Sequence, residues 1–368
     1  MAAPRTTVWE LEPHTRAKHE ILRRYLQAWI PILSQGGFKN ILYIDGFAGP
    51  GRYAGGEDGS PIIAVKSALD HAARIKGNVF FLFVEEKRDR ADVLQQCLDE
   101  LAVPTNFHIK VAAGDRFAEA FEELKQFYIK RGRHLPPTFA FIDPFGWTGA
   151  PFEVVRFILG QPRCEILVTF MYEEINRFLR HRDQPANFDE FFGTEKWREG
   201  LKLGLSSDRN RFLHDIYLRQ LKEVAGAKYA RSFQMRNASG VTDYFLFYAT
   251  NNLLGLQKMK EAMWRVDESG EFTFSDATDA RQLLLIGKEP RYDVLAKQLR
   301  DRFRGRAITR SEVENFVLAE TPFRETHYKR ALKALELSDP PALEVIAAPE
   351  GRKRGTFPSP SMRLRFCL

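Results

Sequence analysis

Apolar positions along this chain switch repeatedly between two spacings, one helical and one strand-like. Residues 14–33 place Ile21, Leu22, Tyr25, Leu26 and Trp29 on one helical face, with Arg16, Lys18, Arg23 and Arg24 outside it. A short apolar run, 40–44, follows and ends at Asp45, where the chain enters the glycine-rich stretch GFAGPGRYAGGEDGSP. The alternation then continues. Helical periodicity over 61–73, 89–101, 117–130 and 152–159 separates strand-sized apolar runs over 79–84, 108–112, 138–142 and 165–170. Strands that are apolar on both faces, separated by helices, predict a parallel sheet covered on both sides.

Residues 172–227 are polar and helix-biased, include NFDEFFGTEKW, and are too long for a simple crossover. A helical insertion capping the sheet rim is expected there. Strands over 229–235 and 243–250, joined by Asn237-Ala238-Ser239-Gly240, predict a hairpin at the sheet edge, followed by a helix over 256–266. The C-terminal segment has a different character. Helices are predicted over 292–303, 309–318 and 325–337, the second with a capping box in Thr309-Arg310-Ser311-Glu312. Strands over 343–347 and 362–366 flank the basic loop Gly351-Arg352-Lys353-Arg354-Gly355. Three helices and a basic hairpin follow the winged helix-turn-helix plan. The expected domains are therefore 1–287 and 288–368.

Composition adds exclusions. The 368 residues are 44% hydrophobic and 28% charged, ordinary for a globular chain. The apolar runs are too short to span a bilayer, and residues 1–10 lack an apolar signal region. Cys97, Cys164 and Cys367 stand apart, without CxxC spacing. That usage fits a cytoplasmic protein and excludes a Cys-rich zinc site, and no metal is expected. Charge is unevenly spread: residues 288–368 hold seventeen Lys/Arg against eleven Asp/Glu, +6 of the chain's +7. A basic module on a neutral body suggests a nucleic-acid contact, through Arg324, Thr326, His327, Lys329, Arg330 and Lys333 on or near the third helix and Arg352, Lys353 and Arg354 in the wing. A winged helix used for protein binding or dimerisation is the alternative.

Ligand sites in such sheets collect at the carboxyl ends of the strands, and four successive strand ends carry Asp45, Glu85, Asp115 and Asp143. The loop Gly46-Phe47-Ala48-Gly49-Pro50-Gly51 lets backbone approach a ligand closely. A dinucleotide fits poorly, because the acid after Gly51 comes too late and further glycines postpone the helix start. No GK[ST] follows, which excludes a phosphate-binding P-loop. S-adenosylmethionine carries no phosphate, and its ammonium, ribose hydroxyls and adenine amine all donate to carboxylates. Asp45 is expected at the methionyl end, Glu85 at the ribose and Asp115 at the adenine amine. Lys18 would meet the methionyl carboxylate if the first helix packs over the rim; otherwise it is a solvated lysine.

Asp143-Pro144-Phe145-Gly146 resembles the D/N-P-P-Y/F signature of amino-methyltransferases. The delocalised lone pair of an exocyclic amine makes it a poor nucleophile. A carboxylate and a backbone carbonyl accepting its two N–H bonds localise that pair, while an aromatic ring stacks on the base. Asp143 and the Pro144 carbonyl would be the acceptors, and Phe145 or Trp147 the platform. Phe145 stands where the signature has Pro, and Gly146 where it has an aromatic residue. A turn that merely ends a strand is the alternative. No cysteine follows Pro144, which argues against a covalent thiolate mechanism.

Taken together, HTRAKHEILRRYLQAW, YIDGFAGPGRY with GSP, FVEEK, FAFIDPFGW, TFMYEEINRF, FFGTEKW, DYFLFYATNN and GLQKMKEAMWRVD resemble the three-Cys-motif partner proteins. The resemblance implies a Rossmann-like class I S-adenosylmethionine-dependent methyltransferase, with a mostly parallel seven-stranded sheet and an edge hairpin, fused to a winged helix. It also implies a bacterial setting and a nearby-encoded partner with a three-cysteine motif of iron–sulfur type. Residues 172–176, after the fifth strand, are expected to face the substrate. Two functions follow: methylation of an exocyclic amine on a nucleic-acid base, or a non-catalytic adaptor that binds S-adenosylmethionine, nucleic acid and the partner. A dehydrogenase is a distant third.

Overall fold

A parallel strand needs a crossover to return, and the crossovers here are the helices that the periodicity marks. The computed structural model describes residues 6–204, 207–267, 272–275 and 290–367. The chain divides into two compact units, Met1–Lys258 with Thr273–Gln282, and Met259–Phe272 with Leu283–Leu368. In the first, α1 (Pro13–Gln35) leads into β1 (Asn40–Asp45), α2 (Ser60–Leu69), β2 (Asn78–Glu85), α3 (Arg88–Asp99), β3 (Phe107–Ala113), α4 (Phe117–Ile129), β4 (Thr138–Ile142), α5 (Phe152–Leu159) and β5 (Cys164–Phe170). The helices α6 (Tyr172–Phe178), α7 (Pro185–Phe192) and α8 (Ser207–Arg219) precede β6 (Tyr229–Arg236) and β7 (Thr242–Thr250).

The sheet has eight strands in the order β3-β2-β1-β4-β5-β7-β6-β8, where β8 is Thr273–Ser275. Strands β1 to β5 are parallel, and β7 runs antiparallel to both β5 and β6. That order, with β7 reversed, is the Rossmann-like class I methyltransferase sheet. Two details differ from the sequence reading: the sheet has eight strands where seven were expected, and the β6–β7 hairpin is not outermost, because β8 pairs parallel to β6. A three-residue strand leaves no periodicity to read. The order reverses between β1 and β4, so the crevice at a topological switch point opens between Asp45 and Asp143.

The insertion does not cap the rim. Phe188, Phe191, Phe192, Trp197 and Tyr217 are buried in one core with Phe170 of β5 and Phe247 of β7. Phe191 stacks on Tyr217 at 5.3 Å, and Phe170 lies edge-on to Phe192. Three phenylalanines at i, i+3, i+4 form an apolar helical stripe, and each such ring gains about 1.5–3 kcal/mol by leaving water. The insertion is thus a layer over the sheet face. Of residues 172–176, expected to face substrate, Tyr172, Glu174 and Ile175 are buried, while Glu173 is exposed and Asn176 half-buried.

In the second unit, α9 (Leu253–Trp264) contributes its last turns, followed by α10 (Tyr292–Phe303), β9 (Ala307–Thr309), α11 (Arg310–Glu320), α12 (Tyr328–Leu337), β10 (Leu343–Ala347) and β11 (Arg363–Phe366). The antiparallel order β10-β11-β9 completes a winged helix. Thr309 caps α11 as its sequence predicts: its hydroxyl accepts from the Glu312 N–H, and Glu312 accepts from the Thr309 N–H at 2.8 Å. The expected boundary at 287/288 lies outside the described residues, yet Met259–Phe272 groups with the second unit. Lys260 is the reason. Its buried ammonium donates to the carbonyls of Val317, Leu318 and Thr321 at 2.9–3.0 Å, closing the C-terminus of α11, while Trp264 donates to the Pro322 carbonyl at 2.9 Å.

Lys260→Met should leave those carbonyls without their charged donor and lower stability by roughly 2–4 kcal/mol. Urea unfolding of the full chain measures this. A loss under about 0.5 kcal/mol would show that the helix end is satisfied without the lysine.

Candidate functional site

Leaving β1, the chain turns sharply, and neighbouring strands hold the turn. Gly46 N–H donates to the Phe141 carbonyl and Ala48 N–H to the Val84 carbonyl, each at 2.9 Å. Phe47 N–H donates to Asp45 Oδ1 at 3.2 Å and Gly49 N–H to Glu85 Oε2 at 2.9 Å. Two glycines are required sterically. A Cβ on Gly46 would stand 2.8 Å from the Phe117 ring, and Gly51, at φ +80°, would press Leu94 at 2.8 Å.

A two-lobed cleft opens around this loop. The larger lobe, about 350 Å³, is lined by Phe47, Ala48, Gly49 and Gly51 of the loop, by Lys18 and His19 of α1, and by Asp143, Pro144 and Phe145 after β4. The smaller, about 130 Å³, is lined by Gly46, Phe47, Glu85, Asp115, Phe117 and Phe145, among others. Phe47 and Phe145 belong to both walls. The predicted rim residues therefore converge, with three exceptions. Asp45 is fully buried and lines neither lobe. It accepts from the Phe47 N–H and so holds the loop. Trp147 cannot serve as a platform: it stacks on Phe188 at 5.0 Å within the core. Gly146 also lies off both walls.

Electrostatics separate the acids. Burial pushes Asp45 up to about 7, opposed by hydrogen bonds from Ser60 and the Phe47 N–H. Burial also raises Glu85, opposed by the N–H groups of Lys87 and Gly49. Asp115 is exposed. Asp143 is not free, because Lys18 donates to both its oxygens, at 2.8 and 2.7 Å. Lys18 is 6% exposed, so the solvated alternative fails. His19 is buried beside it, held down to about 3 by burial and then by the Lys18 charge, and its Nδ1 has no partner.

Sequence reasoning missed several wall residues. Trp9 packs edge-on to Tyr53 and Phe145, at 5.9 and 5.6 Å, with the Arg90 guanidinium 4.7 Å from its ring. Tyr244 and His14 also line the larger lobe. A lone tryptophan before the first helix and a tyrosine in an apolar strand carry no spacing signal. His19 lies next to Lys18 on the opening helix, and that adjacency was the one sign in the sequence.

The winged unit redistributes the predicted basic set. Thr326, Lys329, Arg330, Lys333, Lys353 and Arg354 are exposed, and Arg324 is half-buried. His327 does not face outward: it packs on Trp264 at 4.6 Å and Tyr292 at 5.6 Å, and burial lowers it to about 4. Arg352 is spent internally, paired with Glu336 and donating to the Thr356 carbonyl at 2.7 Å. Arg354 also donates to the Glu336 carbonyl, at 2.9 Å, which ties the wing to α12. Among the described residues no His, Cys, Asp and Glu cluster is placed to hold a metal, and no helix is long and apolar enough to cross a membrane.

A family model described as a GMT-like wHTH domain matches residues 267–338. Among solved structures, the chain is similar to an O-methyltransferase from Bacillus cereus in complex with SAH, with 18% identity, covering 66% of this chain and 82% of that one, at a TM-score of 0.34. It is also similar to a Legionella pneumophila protein of the DUF519 family (11%, 63% and 85%, 0.36) and to a DUF574 family protein from Streptomyces avermitilis (12%, 65% and 84%, 0.32). No curated protein matches the chain. Likenesses this distant add nothing to the site, and the methyltransferase sheet is identified by its own strand order.

Asp45 carries a pH signature. Its raised folded value means that its contribution to stability is full below about pH 4 and is lost as pH rises through about 7. Asp45→Asn removes that loss. The Tm of the variant relative to wild type should therefore climb between about pH 4 and pH 7 and level off above. A flat difference would show that Asp45 ionises as readily folded as unfolded.

Proposed function

We propose that the first unit binds S-adenosylmethionine and directs its methyl group to an exocyclic amine of a nucleic-acid base, with the winged helix contacting the nucleic acid. One observation carries this reading. Phe47 and Phe145 line both a lobe walled by the carboxylates Glu85 and Asp115 and a lobe walled by Asp143 and Pro144. The first wall suits a nucleoside whose hydroxyls and amine donate. The second suits an amine that must be stripped of its resonance.

The cofactor would supply an electrophilic methyl on a sulfonium. Glu85, already fixed by the N–H groups of Gly49 and Lys87, would accept the ribose hydroxyls, and Asp115 the adenine amine. Phe145, held edge-on by Trp9, would be the platform for the base. Asp143 and the Pro144 carbonyl would accept the two N–H bonds and hold the lone pair toward the cofactor lobe. Asp143 would then take the proton released as the new N–C bond forms and the methyl–sulfur bond breaks, leaving its electron pair on sulfur.

A second reading, a non-catalytic adaptor, is favoured by the Lys18 ammonium seated on both Asp143 oxygens. The resemblance to the three-Cys-motif partner proteins further supports a bacterial, cytoplasmic setting and an iron–sulfur-type partner, which co-purification would test.

Calorimetric titration with S-adenosylmethionine, paired with labelled-methyl transfer to DNA and RNA, separates the readings. Glu85→Ala should weaken cofactor binding at least tenfold, about 1.4 kcal/mol. Asp143→Asn should retain binding and cut transfer by about a hundredfold or more. Binding without transfer, with or without the partner, would leave the adaptor.

For the wing, Lys353→Ala and Arg354→Ala should each lower the salt slope of nucleic-acid binding by about one unit. Arg352→Ala should instead lower thermal stability, because its guanidinium holds Glu336. Unchanged slopes in both single variants would assign the winged helix to protein contacts.

A further inference from the structure

The larger lobe holds several carboxylates and few cations. Glu10, Glu12 and Asp143 line it, and among its described wall residues the lysines and arginines are Lys18 and Arg52. Arg52 is committed elsewhere, 2.9 Å from Glu100 and 4.0 Å from Asp58. His14 faces Glu12 at 3.0 Å and Asp243 at 3.6 Å. An amino-acid carboxylate entering this lobe therefore has Lys18 as its counter-charge. Yet Lys18 is taken: its ammonium sits on both Asp143 oxygens, 5.1 Å from the Tyr244 ring.

Breaking a buried ion pair outright is costly, because it strands both charges. Exchanging one carboxylate for another keeps the deeper charge, the ammonium, paired and leaves unpaired only the carboxylate nearer the cavity. The ammonium keeps a partner, and Asp143, whose side chain is 20% exposed against 7% for Lys18, gains two oxygens for incoming N–H donors. The partnerless Nδ1 of His19, buried beside Lys18 and lining the same lobe, is an independent mark of a polar ligand group not yet in place.

We propose that Lys18 is a positioning residue that makes cofactor binding the condition for acceptor binding: it caps Asp143 in the empty cleft and is drawn off by the ligand's amino-acid carboxylate. The inference rests on the cofactor reading above and adds an order to it. The cofactor enters first, and Asp143 becomes available only afterwards. By linkage, whatever loosens the Lys18–Asp143 pair must tighten the hold on a carboxylate-bearing ligand.

Two probes isolate the carboxylate. S-adenosylhomocysteine carries it, whereas 5′-methylthioadenosine keeps the nucleoside and thioether without it. Calorimetry on the full-length protein should show Asp143→Asn binding the first about fivefold or more tightly than wild type does, with the second unchanged. Lys18→Met should remove the preference for the first while leaving the second unchanged, which also certifies a folded cleft. An Asp143→Asn variant that binds S-adenosylhomocysteine no better, or less well, would overturn the coupling while leaving the cofactor reading in place. An unaltered preference in Lys18→Met would do the same. Failure of wild type to bind either probe would overturn the cofactor reading, and the coupling with it.

Discussion

Four backbone N–H groups, those of Gly46, Phe47, Ala48 and Gly49, leave the sheet ladder together as the chain exits β1, and each needs an acceptor. They find the Phe141 carbonyl of β4, the Asp45 carboxylate, the Val84 carbonyl of β2 and the Glu85 carboxylate. Buried N–H groups without acceptors would cost more than the turn gains. The loop is thus stitched to the strands on either side of the switch point, and the cleft takes its shape from that stitching. Asp45 and Glu85 share this work unequally. Asp45 is wholly enclosed, whereas Glu85 accepts two N–H groups and still lines the smaller lobe.

This division explains what was legible in the sequence. Acids at the ends of β1, β2 and β4, and just past β3, follow from periodicity alone, because a strand end is where an apolar run stops. Which acid faces the cavity does not follow. That depends on whether the next residues fold back over it, as Gly46 and Phe47 do over Asp45. Trp147 illustrates the same limit. Its place after Asp143-Pro144-Phe145 suggested a platform, but the turn sends it under the insertion, against Phe188 and Phe178. The insertion was misplaced for a related reason. Its polar composition suggested a rim cap, while its few apolar residues fall at helical spacing and are the ones buried on Phe170 and Phe247.

The winged unit shows how charge composition overstates a surface. Its basic excess is real, but cations are also the natural donors for buried carbonyls and carboxylates. Lys260 closes α11, Arg352 holds Glu336, and Arg354 reaches the carbonyl of that same glutamate. The wing is therefore rigidified by part of its own charge, while Lys353 and the exposed Arg354 face outward with Lys329, Arg330 and Lys333. Counting arginines cannot separate these roles, since only the acceptors within reach decide them.

Two acids in the first unit, one buried and one half-buried, make the corresponding point about the cleft. Glu165, near the start of β5 and therefore at the edge away from the cleft, is pushed up by burial. Its partners are the hydroxyls of Tyr25, Tyr248 and Thr250, the last two at 3.0 Å, all from rigid elements. Those hydroxyls are well placed, uncharged and fixed, so the cluster is finished as structure. Asp143 instead has one partner on a long flexible side chain, at the wall of a cavity with an unpartnered imidazole nitrogen nearby. A paired acid marks a site when its partner is able to leave, and here that partner is a single lysine ammonium lining an open lobe.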